Sequence, residues 1–234
     1  MLIGQDYDKI EWEFMGLQLL EPNALIGDTL ILLFALYFYF KLKKMNINTP
    51  FYSYWRMFYL LFGIGFFVGG FGHLLFNYTV LWGKYPSWFF GIIATYCIEQ
   101  AMISIYPKIS SRSLLVKLSQ LKLIIALVGE VCIILFADLN AKIEMGMIFP
   151  TATSVIGLSL SLGFLGVVYQ KKIHPSFKYL WLSALILVPS AAFQIFKISF
   201  AQWFDRNDAS HVLLIIGMIL YYQTLKRYQL SKNS

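Results

Sequence analysis

Apolar residues run along this chain in long blocks parted by short polar connectors, and each block can hold the ~20 residues that a membrane-crossing helix requires. The pattern predicts seven such helices, over residues 23–42, 57–79, 87–106, 117–137, 147–169, 178–198 and 208–225. No long-period repeat, low-complexity stretch or Pro/Ser-rich linker interrupts the series, so a single membrane domain accounts for the chain. The expected fold is therefore all-α, a seven-transmembrane helix bundle. Residues 1–22 are expected to form a short extracytoplasmic segment, 23–226 the membrane domain and 227–234 a cytoplasmic tail.

Composition agrees with the pattern. Of 234 residues, 59% are hydrophobic and only 13% charged, against about a quarter charged in soluble domains. The first apolar block follows an acidic leader (Asp6, Asp8, Glu11, Glu13) rather than a basic one, so the first helix is expected to be retained rather than cleaved.

Charge sets the expected orientation. Lysines and arginines gather in cytoplasmic loops. Here Lys41, Lys43, Lys44 and Arg56 flank the first connector. Lys108, Arg112, Lys117 and Lys122 flank the third, Lys171, Lys172 and Lys178 the fifth, and Lys226, Arg227 and Lys232 lie in the tail. These are fourteen of the nineteen basic residues, no acid shares their segments, and all fall on one side if seven helices begin outside. The net charge of +7 then reads as a cytoplasmic rim facing anionic lipid headgroups, not as a nucleic-acid surface. A plasma or bacterial inner membrane is the expected location, with membrane lipids as solvent and possible substrate. Tyr52, Tyr54, Trp55, Trp82, Trp88, Trp181 and Trp203 fall near predicted helix ends, where interfacial aromatics belong. Cys97 and Cys132 lack the spacing of a redox or zinc motif and are expected to be buried apolar thiols.

Ionisable groups are costly in hydrocarbon, so polar residues inside the blocks are the site candidates. With the N-terminus outside they converge on the outer half. Glu21, Asn23 and Asp28 open the first helix, His73 and Asn77 close the second, Glu130 sits in the outer third of the fourth, and Asp205, Asn207, Asp208 and His211 lead into the seventh. Gly65, Gly69, His73 and Asn77 fall four apart, a small-residue face that would press His73 into the bundle. Histidines with carboxylates are what zinc binds, and His73, His211 and Asp208 are the candidate ligands. Asp205 and Asp208 have an alternative role as caps of the last helix. Glu99 and Gln100 lie deeper, near the middle of the third helix, and Glu99 and Glu130 have a plain reading as bridges between helices.

Seven helices, the Glu21-Pro22-Asn23 entry to the first, His73 late in the second and His211 opening the seventh resemble the superfamily of alkaline ceramidases and adiponectin-type receptors. The resemblance implies zinc on one histidine of helix two and a His-x-x-x-His pair of helix seven, matched here by His73 and His211. Asn207 stands where the pair's first histidine would be, Gly69 where the family has a serine, and Lys84 near where it has an aspartate. A zinc site would then have to recruit Asp208, Asp205 or Asp28. Glu21 and Asn23 would correspond to part of a calcium site.

The resulting expectation is a membrane-embedded, zinc-dependent hydrolase of a lipid amide or ester. Metal-bound water would attack and Asp28, with Asp205, would handle protons; Glu21, Asn23, Asn77, Glu130 and Asn207 would support the site. The alternative is a non-enzymatic seven-helix receptor or small-ligand-binding protein using the same cluster. A carrier drawing on Asp28, Glu99 and Glu130 lacks paired broken helices or internal symmetry. A retinal protein is excluded because residues 212–224 contain no lysine for a Schiff base. A haem held between His73 and His211 suits the surrounding acids poorly.

Overall fold

In the computed structural model of the chain the described residues are 7–139 and 141–231; Asp6 of the leader and Lys232 of the tail lie outside them. The long elements are α1 (Pro22–Lys44), α2 (Pro50–Leu74), the short α3 (Phe76–Thr79), α4 (Tyr85–Ser104), α5 (Ile109–Phe136), α6 (Ile148–Leu158), α7 (Leu165–Lys172), α8 (Lys178–Ile195) and α9 (Arg206–Leu230). Proline stands in the first turn of α1, α2 and α4, where its missing N–H costs no helical hydrogen bond. Six helical segments among the described residues are long and apolar enough to cross a membrane: Pro22–Lys44, Pro50–Leu74, Ile109–Phe136, Glu144–Lys172, Pro175–Ile195 and Arg206–Leu230. The protein is a multi-pass integral membrane protein with an all-α membrane domain.

The helix expected over 87–106 is α4, which is not among those six. It carries Thr95, Glu99 and Gln100, and all three are buried. It packs on α2, α5 and α6, so its polar side chains face protein. Elsewhere α1 lies between α2 and α9, and α9 pairs with α8. Outward-facing Leu30, Leu33, Ile124, Val128, Val155 and Leu185 are exposed, as a lipid-facing surface requires.

One half of the bundle is an aromatic core in which Phe51, Trp55, Phe58, Tyr59, Tyr169, Phe177, Tyr221 and Tyr228 pack together. Its tyrosines stitch helices together, Tyr52 donating to the Leu225 carbonyl (3.1 Å), Tyr59 to that of Met218 (2.8 Å) and Tyr169 to that of Met102 (2.7 Å). A buried phenol with a carbonyl partner adds apolar area without an orphaned hydroxyl. This half holds most of the basic residues; the other holds the polar cluster, with Lys9, Lys84 and Arg206. The segment joining α6 to α7, Ser159–Phe164, is a π-helix, a wider turn that carries one extra residue.

The leader folds as well: β1 (Glu11–Phe14) pairs antiparallel with β2 (Leu17–Leu20) in a hairpin. Three expectations are corrected. The helix expected from 117 starts at Ile109, so Arg112 also lies within α5 and Lys117 and Lys122 sit further from its end than expected. Cys97 is buried but Cys132 is exposed on the outward face of α5. Gly65 and Gly69 face α4, against Phe90 and Ser87. Asn77 does not continue their face, because α2 ends at Leu74 and Asn77 belongs to α3.

Candidate functional site

The polar cluster lies at the hairpin end, where α1, α2 and α9 meet. Asp205 forms the N-cap of α9 and accepts from the backbone N–H groups of Asn207 (2.7 Å) and Asp208 (3.2 Å). Asp208 completes a capping box by accepting from the Asp205 N–H (3.0 Å). Both carboxylates thus face the positive end of the helix dipole. The other oxygen-bound partner of Asp208 is Asn23, whose amide donates to its Oδ2 at 2.9 Å and ties α1 to α9.

One turn deeper, His211 Nε2 approaches Asp28 Oδ1 at 3.3 Å. Both side chains are almost wholly enclosed, and the contact is a close approach of polar atoms rather than an aligned hydrogen bond. Glycines make the room. A Cβ on Gly27 would lie 2.4 Å from His211 Nδ1, and one on Gly70 would lie 3.0 Å from the Asp28 carboxylate. The edge of Phe66 closes the far side of the imidazole, with ring centroids 5.7 Å apart.

At the surface, Glu21 caps the other polar helix start and gathers two cations. Its Oε2 lies 2.8 Å from His73 Nδ1 and 3.1 Å from Lys9 Nζ. Burial would push the Glu21 carboxyl up, but the hydrogen bond and charge of His73, with those of Lys9, outweigh it and hold the group at about 2. Lys84 is pulled below its ordinary value by burial, against the raising effect of Glu21 and with the lowering effect of Lys9.

Beside this cluster lies a cavity of about 250 Å³ whose wall includes Lys9, Glu21, Asn23, Asp205, Arg206 and Asn207. Both signs of charge and two amides are present in that wall. Of the sequence candidates, Glu21, Asn23, Asp28, His73, Asp205, Asn207, Asp208 and His211 are gathered in this region. Asn77 lies beside it and donates to the Gln18 carbonyl at 3.1 Å. Glu130 is elsewhere: it is buried on α5, which packs on α4 and α6, and neither of its oxygens has a hydrogen-bond partner among the described residues.

Zinc requires donors that converge on one point. His73 is turned onto Glu21, Asp208 onto Asn23 and its own cap, and His211 onto Asp28 with its Nδ1 against Gly27. Among the described residues no three His, Cys, Asp or Glu groups form a set that would hold a metal ion. The donor set fits a network of internal pairs better than a zinc centre.

Two features escaped the sequence reading. Lys9 sits in the leader, with no spacing signal to link it to Glu21. On α4, Glu99 is ion-paired with Lys122, accepts from the Ser119 hydroxyl at 2.5 Å and is accommodated by Gly157 of α6. The signal for that pair was present, since an acid and a base each inside an apolar block need each other.

No curated protein and no solved structure matches the chain. The family model described as a family of unknown function, DUF6962, matches residues 24–230, from the first turn of α1 to the end of α9, and the chain belongs to that family.

Proposed function

We propose that the protein is a seven-span, non-enzymatic receptor or binding protein that takes a small zwitterionic molecule in the cavity at the hairpin end. α4 supplies the seventh span, its polar residues screened by α2, α5 and α6. The N-terminus lies outside and the C-terminus in the cytoplasm, because the basic residues of the opposite end then face anionic headgroups. The observation that carries the reading is the wall of the 250 Å³ cavity, where Lys9 and Arg206 stand with the carboxylates of Asp8, Glu21 and Asp205 and the amides of Asn23 and Asn207. A ligand carrying both charges and hydrogen-bonding groups would satisfy that wall without leaving a bare charge. Convergent polar groups in a concave site are the usual mark of a small-molecule site.

Beneath the cavity, the Asn23–Asp208 bond and the His211–Asp28 pair join α1 to α9. A ligand that moves Asn23 or Asn207 would therefore act on the helix interface, which suits a receptor. The test is thermal unfolding of the nanodisc-embedded protein against a panel of amino acids, betaines and phosphocholine, with metal content measured on the same preparation. A stabilising ligand at a hundredfold excess over its Kd contributes about 2.7 kcal/mol, and Arg206→Ala should abolish its effect. A panel without effect refutes the binding reading. Stoichiometric zinc that His73→Ala and His211→Ala each remove would favour the lipid amidase or esterase instead.

A further inference from the structure

The β1–β2 hairpin has two unlike faces. Its register opposes Trp12 to Leu19 and Phe14 to Leu17 on one face, and Glu13 to Gln18 on the other. Two central residues with positive φ, Met15 (51°) and Gly16 (78°), make the tight turn, the geometry that suits the twist of a two-residue hairpin. Of the apolar face only Leu19 is buried; Trp12 is 51% exposed, and Phe14, Leu17 and the tip residue Met15 are exposed with it, Met15 at 88%. So much apolar area would be a liability in water.

The hairpin is not free to swing. β2 ends at Leu20 and α1 begins at Pro22, leaving one residue between strand and membrane helix. The Glu21 N–H donates to the Ile10 carbonyl at 2.9 Å, which closes the base of the hairpin. Near the tip, the Gln18 N–H donates to the Tyr78 hydroxyl (2.8 Å) and the Asn77 amide to the Gln18 carbonyl (3.1 Å). These bonds tie the hairpin to α3 at the end of α2. With strands of four residues, at ~3.4 Å each, its tip is held within a short reach of where α1 leaves the bilayer. Exposed Tyr78 and Trp82 of the neighbouring turn extend the same rim.

We propose that this hairpin is an interfacial anchor: its Trp12, Phe14, Met15 and Leu17 face lies in the headgroup and upper acyl region of the leaflet that α1 enters, with Glu11 and Glu13 turned to water. The occupant is lipid rather than another protein because the face is continuous with a membrane-spanning helix. Tryptophan and phenylalanine on an amphipathic element are the residues that favour that zone. The anchor is independent of what the cavity binds.

The experiment uses the full chain with Cys97→Ser and Cys132→Ser, spin-labelled at Met15→Cys or at Glu13→Cys and reconstituted in phosphatidylcholine vesicles. Collision of the label with oxygen, which concentrates in lipid, is compared with collision with a water-soluble nickel chelate. The Met15 label should collide several-fold more with oxygen than with nickel, and the Glu13 label should show the reverse. Water-like values at both positions overturn the proposal. So does spin–spin broadening at Met15 with protection from both reagents, which would make the face a contact between copies. A second measurement leaves the hairpin and both cysteines intact: quenching by bromine-labelled lipid should drop in Trp12→Phe, and equal quenching in parent and variant overturns the anchor.

Discussion

Gly27 is where the packing of the site is tightest, and replacing it by alanine gives a signed prediction. The added Cβ would lie 2.4 Å from His211 Nδ1, well inside ordinary contact, and 3.3 Å from its Cε1. The imidazole must retreat by about an ångström, which is enough to take Nε2 out of its 3.3 Å approach to Asp28. Overpacking costs ~1–3 kcal/mol, and separating the buried polar groups of His211 and Asp28 costs ~1–3 kcal/mol. The two overlap, since moving the ring relieves the clash, and alanine's helix propensity returns up to ~1 kcal/mol. A net loss of about 1–3 kcal/mol follows for Gly27→Ala. Gly91→Ala is the control, because nothing lies within 4 Å of its Cβ position; it should be neutral or stabilise by up to ~1 kcal/mol. Thermal or SDS-induced unfolding in matched mixed micelles reads both. The His211→Ala background removes the obstacle, so the Gly27→Ala cost should shrink there by ~1 kcal/mol or more. Equal stability of the two glycine variants, or strict additivity with His211→Ala, would refute the reasoning.

Three further outcomes are expected. Glu21 is held at about 2 against an ordinary 4.5, so its stabilisation is complete above pH ~4.5 and is lost as pH falls towards 2. The parent should exceed Glu21→Gln by about 1–3 kcal/mol at pH 6, the lower figure reflecting exposure of Lys9, and the two unfolding curves should converge near pH 2. Asp205→Ala removes the capping box of α9 and should cost ~0.5–2 kcal/mol in the same unfolding assay, while Asp205→Asn should recover most of it. Lys122→Met strands the buried Glu99 carboxylate and should destabilise by ~3 kcal/mol or more. Adding Glu99→Gln should recover much of that loss, because an unpaired buried charge is worse than no pair.

The bundle was legible because hydropathy alone distinguishes membrane helices, and the bases marked one end. It was less legible wherever a charge was satisfied inside protein. Lys122 was read as a flank of the basic connector rather than as a partner for Glu99, and α4 is polar in the very places where α5 and α6 cover it. The hairpin was missed because Trp12, Phe14, Leu17 and Leu19 alternate with polar residues over only a few positions, a short signal beside blocks of twenty. The residues of the site were found, since Asp28, His73, Asp208 and His211 sit in or beside apolar runs. Their pairing was not: it depends on Gly27 and Gly70 admitting side chains from neighbouring helices, and spacing within one helix carries no information about that.

The π-helix at Ser159–Phe164 acts as a phase correction. Along α6 the enclosed positions are Pro150, Thr153 and Gly157. Uninterrupted α-helical spacing would carry that stripe seven residues on to Phe164, which is instead well exposed, while Gly166 and Tyr169 take the inward positions on α7. The wide turn absorbs one residue, about 100° of rotation at 3.6 residues per turn, and so lets a single span follow α4 and α5 at one end and α8 at the other. Removing Gly163, whose Cβ position is open, would take out the absorbed residue, so the turn could close to α-helical spacing with Tyr169 still at the Met102 carbonyl. An α-helical turn forced on the full-length span would instead leave it in register with one set of neighbours only.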